Sequence, residues 1–143
     1  MSTELDLKEC LFKELDIVED IINRMATYSF MIKGWTITLV VISLLLSGTK
    51  YHHILAFVPW ILFWYLDARY LHLEKCYRAQ YDWLIKNRLT NDENLFRMNA
   101  KEQFKDDVAC IRQTMISWSL LSFYGLIFLL IVSILALYYF GFI

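Results

Sequence analysis

Asp67 stands where a carboxylate is hardest to keep, directly after the apolar and aromatic run Phe63-Trp64-Tyr65-Leu66. Arg69 follows it, Glu74 lies further along, and Arg24 and Lys33 flank the start of an earlier apolar segment. An ionised carboxylate at the edge of hydrocarbon is costly unless it is paired. Asp67 is therefore expected to pair with Arg24, Lys33 or a neighbouring subunit. Two roles fit these five charges: a structural clasp between two helices, or a charged ring at the inner mouth of a pore.

Hydroxyl groups set inside apolar stretches form a second constellation. Thr36, Val40, Ser43 and Ser47 fall on one helical face, and Ser119, Ser122, Leu126, Leu129 and Ser133 on another. Small hydroxyl residues let helices approach closely and bond across the contact. The same positions could line a narrow pore, with Leu126 and Leu129 as a constriction that sheds water between serine levels. A third group, Arg78, Lys86, Arg88, Arg97, Lys101 and Lys105, reads as a solvated helical face or as the landing site of an anionic regulator.

Catalytic chemistry finds little footing. Cys10, Cys76 and Cys110 are isolated, without metal-ligand spacing. His52 and His53 are adjacent and point to different helical faces, and His72 follows Arg69 too closely for a helical ribonuclease motif. There is no phosphate-cradling glycine loop and no nucleophile–base order. The expectation is a protein that is not an enzyme and uses no cofactor or metal. A net charge of -1 also supplies no basic field for nucleic acid.

The elements that must position these groups are helices in a bilayer. Residues 115–143 carry no charged side chain, and about 20 apolar residues suffice to cross hydrocarbon. Two shorter apolar segments, 30–46 and 51–66, flank the turn chemistry of Ser47-Gly48-Thr49-Lys50. They read as a hairpin crossing out and back, or as a re-entrant loop that only dips in. Trp35, Trp60 and Trp64 are expected to act as interfacial anchors. Pro59 is expected to kink the second span. The fold class is thus an all-α membrane protein with three transmembrane helices, a hairpin plus a C-terminal span, and cytoplasmic helical extensions.

Four regions follow: a cytoplasmic amphipathic helix over 1–28, the hairpin over 29–66, a cytoplasmic helical region over 67–114, and the last span over 115–143. In the first, Leu7, Leu11, Leu15, Val18, Ile22 and Met25 make an apolar stripe. Glu4, Glu9, Glu14, Asp16, Glu19 and Asp20 are expected on its solvated side. Thr3 with Asp6 is a possible capping-box start, and Thr90 with Glu93 is expected to restart a helix after the second span's extension. Phe104, Val108, Ile111 and Met115 then lead towards the last span without a breaker. Lysine and arginine concentrate before the first span and between the second and third, which places the N-terminus inside and the C-terminus outside.

The chain also resembles a known family. The residues that carry the likeness are Arg24-Met25-Ala26-Thr27-Tyr28-Ser29-Phe30, Lys33-Gly34-Trp35-Thr36-Ile37-Thr38-Leu39, and Phe63-Trp64-Tyr65-Leu66-Asp67-Ala68 followed by Tyr70-Leu71 and Glu74. Over about residues 15 to 85 they look like the SLATT-type small bacterial membrane proteins of nucleotide-signalling and anti-phage defence systems. The resemblance implies an oligomeric, inner-membrane pore effector, held closed until infection, with a nucleotidyltransferase partner supplying a controlling nucleotide. It gives Arg24, Lys33, Asp67 and Glu74 architectural roles, and any ligand site would use the short cytoplasmic helices. Three spans cannot enclose a pore alone, so the reading requires a homo-oligomer. The alternatives are a non-conducting membrane anchor that recruits a cytosolic defence partner and a holin-like lesion former.

Overall fold

The computed structural model describes residues 2–45, 52–90 and 95–140, with side chains described over 6–45, 54–90 and 95–140. All regular structure among these residues is helical. Helix α1 covers Ser2–Leu45, a 3-10 turn covers His52–Ala56, and α2 covers Phe57–Asn87. Two short helices follow, α3 over Ala100–Gln103 and α4 over Ile111–Met115, before α5 over Trp118–Tyr139. Three helices are long and apolar enough to cross a membrane: α1, α2 with the turn before it, and α5.

The chain divides into two compact units. Unit 1 comprises Met1–Tyr28 and Tyr70–Cys110; unit 2 comprises Ser29–Arg69 and Ile111–Ile143. The amphipathic stripe and the first span thus belong to one helix. No proline interrupts α1, and its glycine, Gly34, meets no packing demand there.

Unit 1 is built around Leu11, Val18 and Leu84, with Leu15, Ile22, Tyr77, Tyr81, Trp83 and Met98 packed against them. The stripe of the amphipathic helix buries itself on α2, since removing apolar surface from water drives such packing. Glu14 departs from expectation. It is buried, not solvated, and Arg88 is buried with it. Glu14 lies three residues after Leu11 and four before Val18, so it shares their inward face.

The segment after α2 also departs from expectation. Residues 88–90 form a turn, 95–99 are not helical, and the next described helix, α3, begins at Ala100; the expected restart over 91–94 lies outside the described residues. The Thr90 hydroxyl instead donates to the Asn87 carbonyl at 3.0 Å. The expected partner Glu93, like Thr3 of the other capping box, lies outside the described side chains. Nor is there an unbroken approach to the last span: residues 104–110 interrupt it, and Ile116 and Ser117 separate α4 from α5. The physical reason lies in α2. Tyr77 and Gln80 donate to the carbonyls of Met98 and Arg97, and His72 Nδ1 sits 3.0 Å from the Ala109 carbonyl. Carbonyls partnered by side chains need no helical ladder.

Unit 2 packs Val40, Ala56 and Ile131 together, with Leu44, Phe57, Trp60, Ile127 and Leu135 around them. On α5 the inward residues are Leu120, Tyr124 and Ile131. Much of the remaining apolar surface is exposed, including Trp35, Ile61, Leu62 and Leu130, as a lipid-facing surface requires. Pro59 does not interrupt the interior of α2. It is the third residue of the helix, where the missing N–H would have no intrahelical partner in any case. The turn residues 47–50 between the first two spans lie outside the described residues.

Candidate functional site

The buried polar centre of unit 2 is Asp67, which is fully enclosed. Lys33 Nζ lies 2.7 Å from its Oδ2, settling which of the expected partners it takes within the chain. The Ser29 hydroxyl donates to Oδ1 at 2.5 Å and accepts from Lys33 Nζ at 2.7 Å. The Tyr124 hydroxyl, 3.2 Å from Oδ2 and 3.1 Å from the Phe63 carbonyl, brings in the third span helix. One carboxylate therefore receives groups from α1 and α5 while belonging to α2.

Helical spacing explains the convergence. Ser29, Lys33 and Thr36 recur at steps of four and three, as do Trp60, Trp64 and Asp67, so each set shares a face. Thr36 is fully buried and donates to the Ile32 carbonyl at 2.8 Å. The two tryptophans tie α2 to the segments that follow it in unit 2. Trp60 Nε1 donates to the Tyr124 carbonyl at 2.8 Å, and Trp64 Nε1 to the Met115 carbonyl at 3.2 Å. Met115 ends α4, where a helix leaves carbonyls without an intrahelical donor. The Trp64 and Tyr124 rings stack with centroids 6.0 Å apart.

Chemically this is a satisfied ion pair. Asp67 is neutralised and hydrogen-bonded on both oxygens, and Lys33 keeps about a quarter of its side chain exposed (24%). Such an arrangement ties three helices together through one carboxylate. Among the described residues no group of three or more His, Cys, Asp or Glu could hold a metal ion.

The other expected site residues scatter. Arg24 and Arg69 are exposed, and Glu74 pairs within its own helix turn with Arg78 at 2.9 Å. The charge group of five is thus resolved into the Lys33–Asp67 and Glu74–Arg78 pairs. Ser119, Ser122, Leu126, Leu129 and Ser133 all lie on the exposed side of α5, opposite Leu120, Tyr124 and Ile131. Ser122 and Ser133 donate to the carbonyls of Ser119 and Leu129 in their own helix. Ser43 is half-buried and does likewise to Leu39, while Ser47 lies outside the described residues.

Of the six cations read as a regulator surface, Lys86, Arg97, Lys101 and Lys105 are exposed, as is Arg78. Arg88 is not on that surface. It is 3% exposed, and its Nε and Nη2 donate to Glu14 at 2.6 and 2.9 Å. The Phe96 backbone N–H adds a third donor to Glu14 at 2.6 Å, from a residue with φ of 58°. Positive φ is rare for a bulky side chain and persists only when its surroundings hold it.

Sequence reasoning did not single out Ser29 or Tyr124 as partners of Asp67, nor Glu14 as a buried anion. The signal for Ser29 was its place four residues before Lys33; a lone tyrosine in an apolar run carries no comparable signal. No family model, curated protein or solved structure matches the chain.

Proposed function

We propose that the chain is a homo-oligomeric, pore-forming effector of a bacterial inner membrane. Several copies would set the hydroxyl-bearing side of α5 around a common axis. The observation that carries this reading is the division of α5 into two faces. Leu120, Tyr124 and Ile131 are consumed by packing within the protomer, whereas Ser119, Ser122, Leu126, Leu129 and Ser133 remain on the outside. Lipid tails gain nothing from serines, while a neighbouring helix or a water column does. The Lys33–Asp67 clasp then acts as the rigid frame that holds α5 in place, not as a ring of pore charge.

The arginine and lysine distribution supports an N-terminus-inside, C-terminus-outside topology, so unit 1 would lie in the cytoplasm and receive the gating signal. The resemblance to SLATT-type proteins supports a role in anti-phage defence, with a nucleotide made by a partner nucleotidyltransferase as one form of that signal. A second reading, a non-conducting anchor for a cytosolic partner, draws on the serine hydroxyls themselves. Ser122 and Ser133 already bond to their own helix and can face a protein or lipid surface dry.

The test is to reconstitute the purified chain, determine its oligomeric state and symmetry in lipid by electron microscopy, and record current across planar bilayers. A ring with discrete conductance, whose resting leak rises in Leu126→Ser or Leu129→Ser, supports the pore. A monomer, or a ring that never conducts and is indifferent to both substitutions, leaves the anchor.

A further inference from the structure

Unit 1 contains a cavity of about 380 Å³, a volume within the range of roughly 300–1,000 Å³ usual for small-molecule sites. Both cations of its wall are already engaged. Arg88 donates to Glu14 through Nε and Nη2 at 2.6 and 2.9 Å, and its guanidinium sits 5.3 Å from the Trp83 ring centroid. Arg97 has an interaction of its own.

The uncommitted groups are of the opposite kind. Gln80 is 3% exposed, and its Nε2 donates to the Arg97 carbonyl at 2.9 Å, which fixes the amide orientation. Its Oε1 is buried and has no hydrogen-bond partner among the described residues. A buried acceptor left unmet costs free energy, and the loss is recovered when a ligand brings an N–H or O–H. The exposed Asp107 carboxylate lines the same cavity and has no ion-pair partner among the described residues. Trp83 and Phe104 add two aromatic rings, with centroids 6.5 Å apart and a tilt of 58°. A buried acceptor, a carboxylate and two π faces together call for a donor that is positively charged and carried on an apolar stem. A protonated primary amine meets each demand, with three N–H donors, a full charge and methylenes that pack on rings.

We propose that this cavity binds a primary alkylammonium, the chemistry of an aliphatic di- or polyamine. An ammonium would donate to Gln80 Oε1, the methylene chain would lie against Trp83 and Phe104, and the Asp107 carboxylate would supply the countercharge. A quaternary ammonium lacks the N–H and an alcohol lacks the charge, so neither replaces the amine. The site goes beyond the pore reading and does not depend on conduction.

Isothermal titration calorimetry on the full chain in phosphatidylcholine nanodiscs tests it, with empty nanodiscs as the blank. Pentylamine, cadaverine and spermidine are the probes, and tetramethylammonium and pentanol form separate arms. At least one primary amine should bind saturably. Tetramethylammonium and pentanol should each bind about tenfold more weakly than that amine, or not at all. Gln80→Leu and Asp107→Asn should each weaken the amine about tenfold, the scale of one lost hydrogen bond to a charged partner, while Asp16→Asn on the exposed side of α1 should leave it unchanged. Arg97→Gln should not weaken it, the reverse of what an anion site would show. Absence of saturable binding by every amine overturns the proposal. So does tetramethylammonium binding as tightly as the amines with no effect of Gln80→Leu, which would mark a diffuse acidic surface. Asp107 has an exposed side chain, so its variant reports on the site even where Gln80→Leu unfolds. Binding is read without current: a chain that binds but never conducts keeps this site and loses the pore, and the converse loses the site alone.

Discussion

Replacing Arg88 by leucine should be among the most damaging single changes in unit 1. The substitution removes two donors from Glu14, at 2.6 and 2.9 Å, and leaves a carboxylate that is 1% exposed with, among the described residues, only the Phe96 N–H. Breaking one side of a buried ion pair costs about 3–5 kcal/mol, because the surviving charge stays out of water. At about 1.4 kcal/mol per tenfold, that lowers the ratio of folded to unfolded unit 1 by a factor of roughly 10² to 4 × 10³. The partner change Glu14→Leu should also destabilise unit 1, because it removes the carboxylate that accepts from Arg88 Nε and Nη2. The double variant Glu14→Leu/Arg88→Met should cost clearly less than the sum of the singles, since replacing both charges with apolar groups is often close to neutral. Hydrogen–deuterium exchange of α1 and α2 amides in nanodiscs, read by mass spectrometry, gives the opening free energy of unit 1 directly. If Arg88→Leu changes that energy by less than about 1 kcal/mol, or if the two singles simply add, the pair behaves as a surface contact and the assignment of a buried clasp is wrong.

In unit 2, Lys33→Ala should raise exchange in the span helices more than Asp67→Ala, because it strands a fully enclosed carboxylate, whereas after Asp67→Ala the surviving Lys33 can carry its partly exposed ammonium towards water. Equal effects, by the same exchange measurement, would argue against a carboxylate-centred frame. Pro59→Ala should shift thermal unfolding in nanodiscs only slightly, since first-turn proline removes no helical bond; a gain of several degrees would restore the idea of a strained kink. Ser117→Ala should be neutral or mildly stabilising in the same assay, because the hydroxyl is buried without a partner and makes no cap bond to α5. Burial pushes the Cys76 thiol up from its ordinary range, with Lys101 pulling the other way, so less thiolate is present at neutral pH. Maleimide should therefore label exposed Cys110 first and reach Cys76 only when unit 1 opens; equal rates, measured by peptide mass spectrometry, would contradict its enclosure.

What the chain discloses before folding is decided by range along the sequence. Three apolar runs suffice to announce three span helices, and a carboxylate after Leu66 announces a cationic partner, which Lys33 supplies. Composition, however, cannot tell a solvated glutamate from a buried one. Glu14 looks like its acidic neighbours, and only its position between Leu11 and Val18 places it inward. Arg88 likewise sits four residues after buried Leu84. The break in the approach to α5 was hidden for a different reason. Phe104, Val108, Ile111 and Met115 recur at helical steps, but α2 side chains capture the carbonyls of Arg97, Met98 and Ala109 from many residues away. Tertiary hydrogen bonds here override local propensity. Tyr124 illustrates the same limit, since nothing beside it in the sequence hints at Asp67.

Because Glu14 is locked to Arg88 and Asp67 to Lys33, neither anion can drift alone. A lineage that loses one member must pass through a crippled intermediate or replace both at nearly the same step. Descendants of this chain should therefore inherit or discard these charges two at a time.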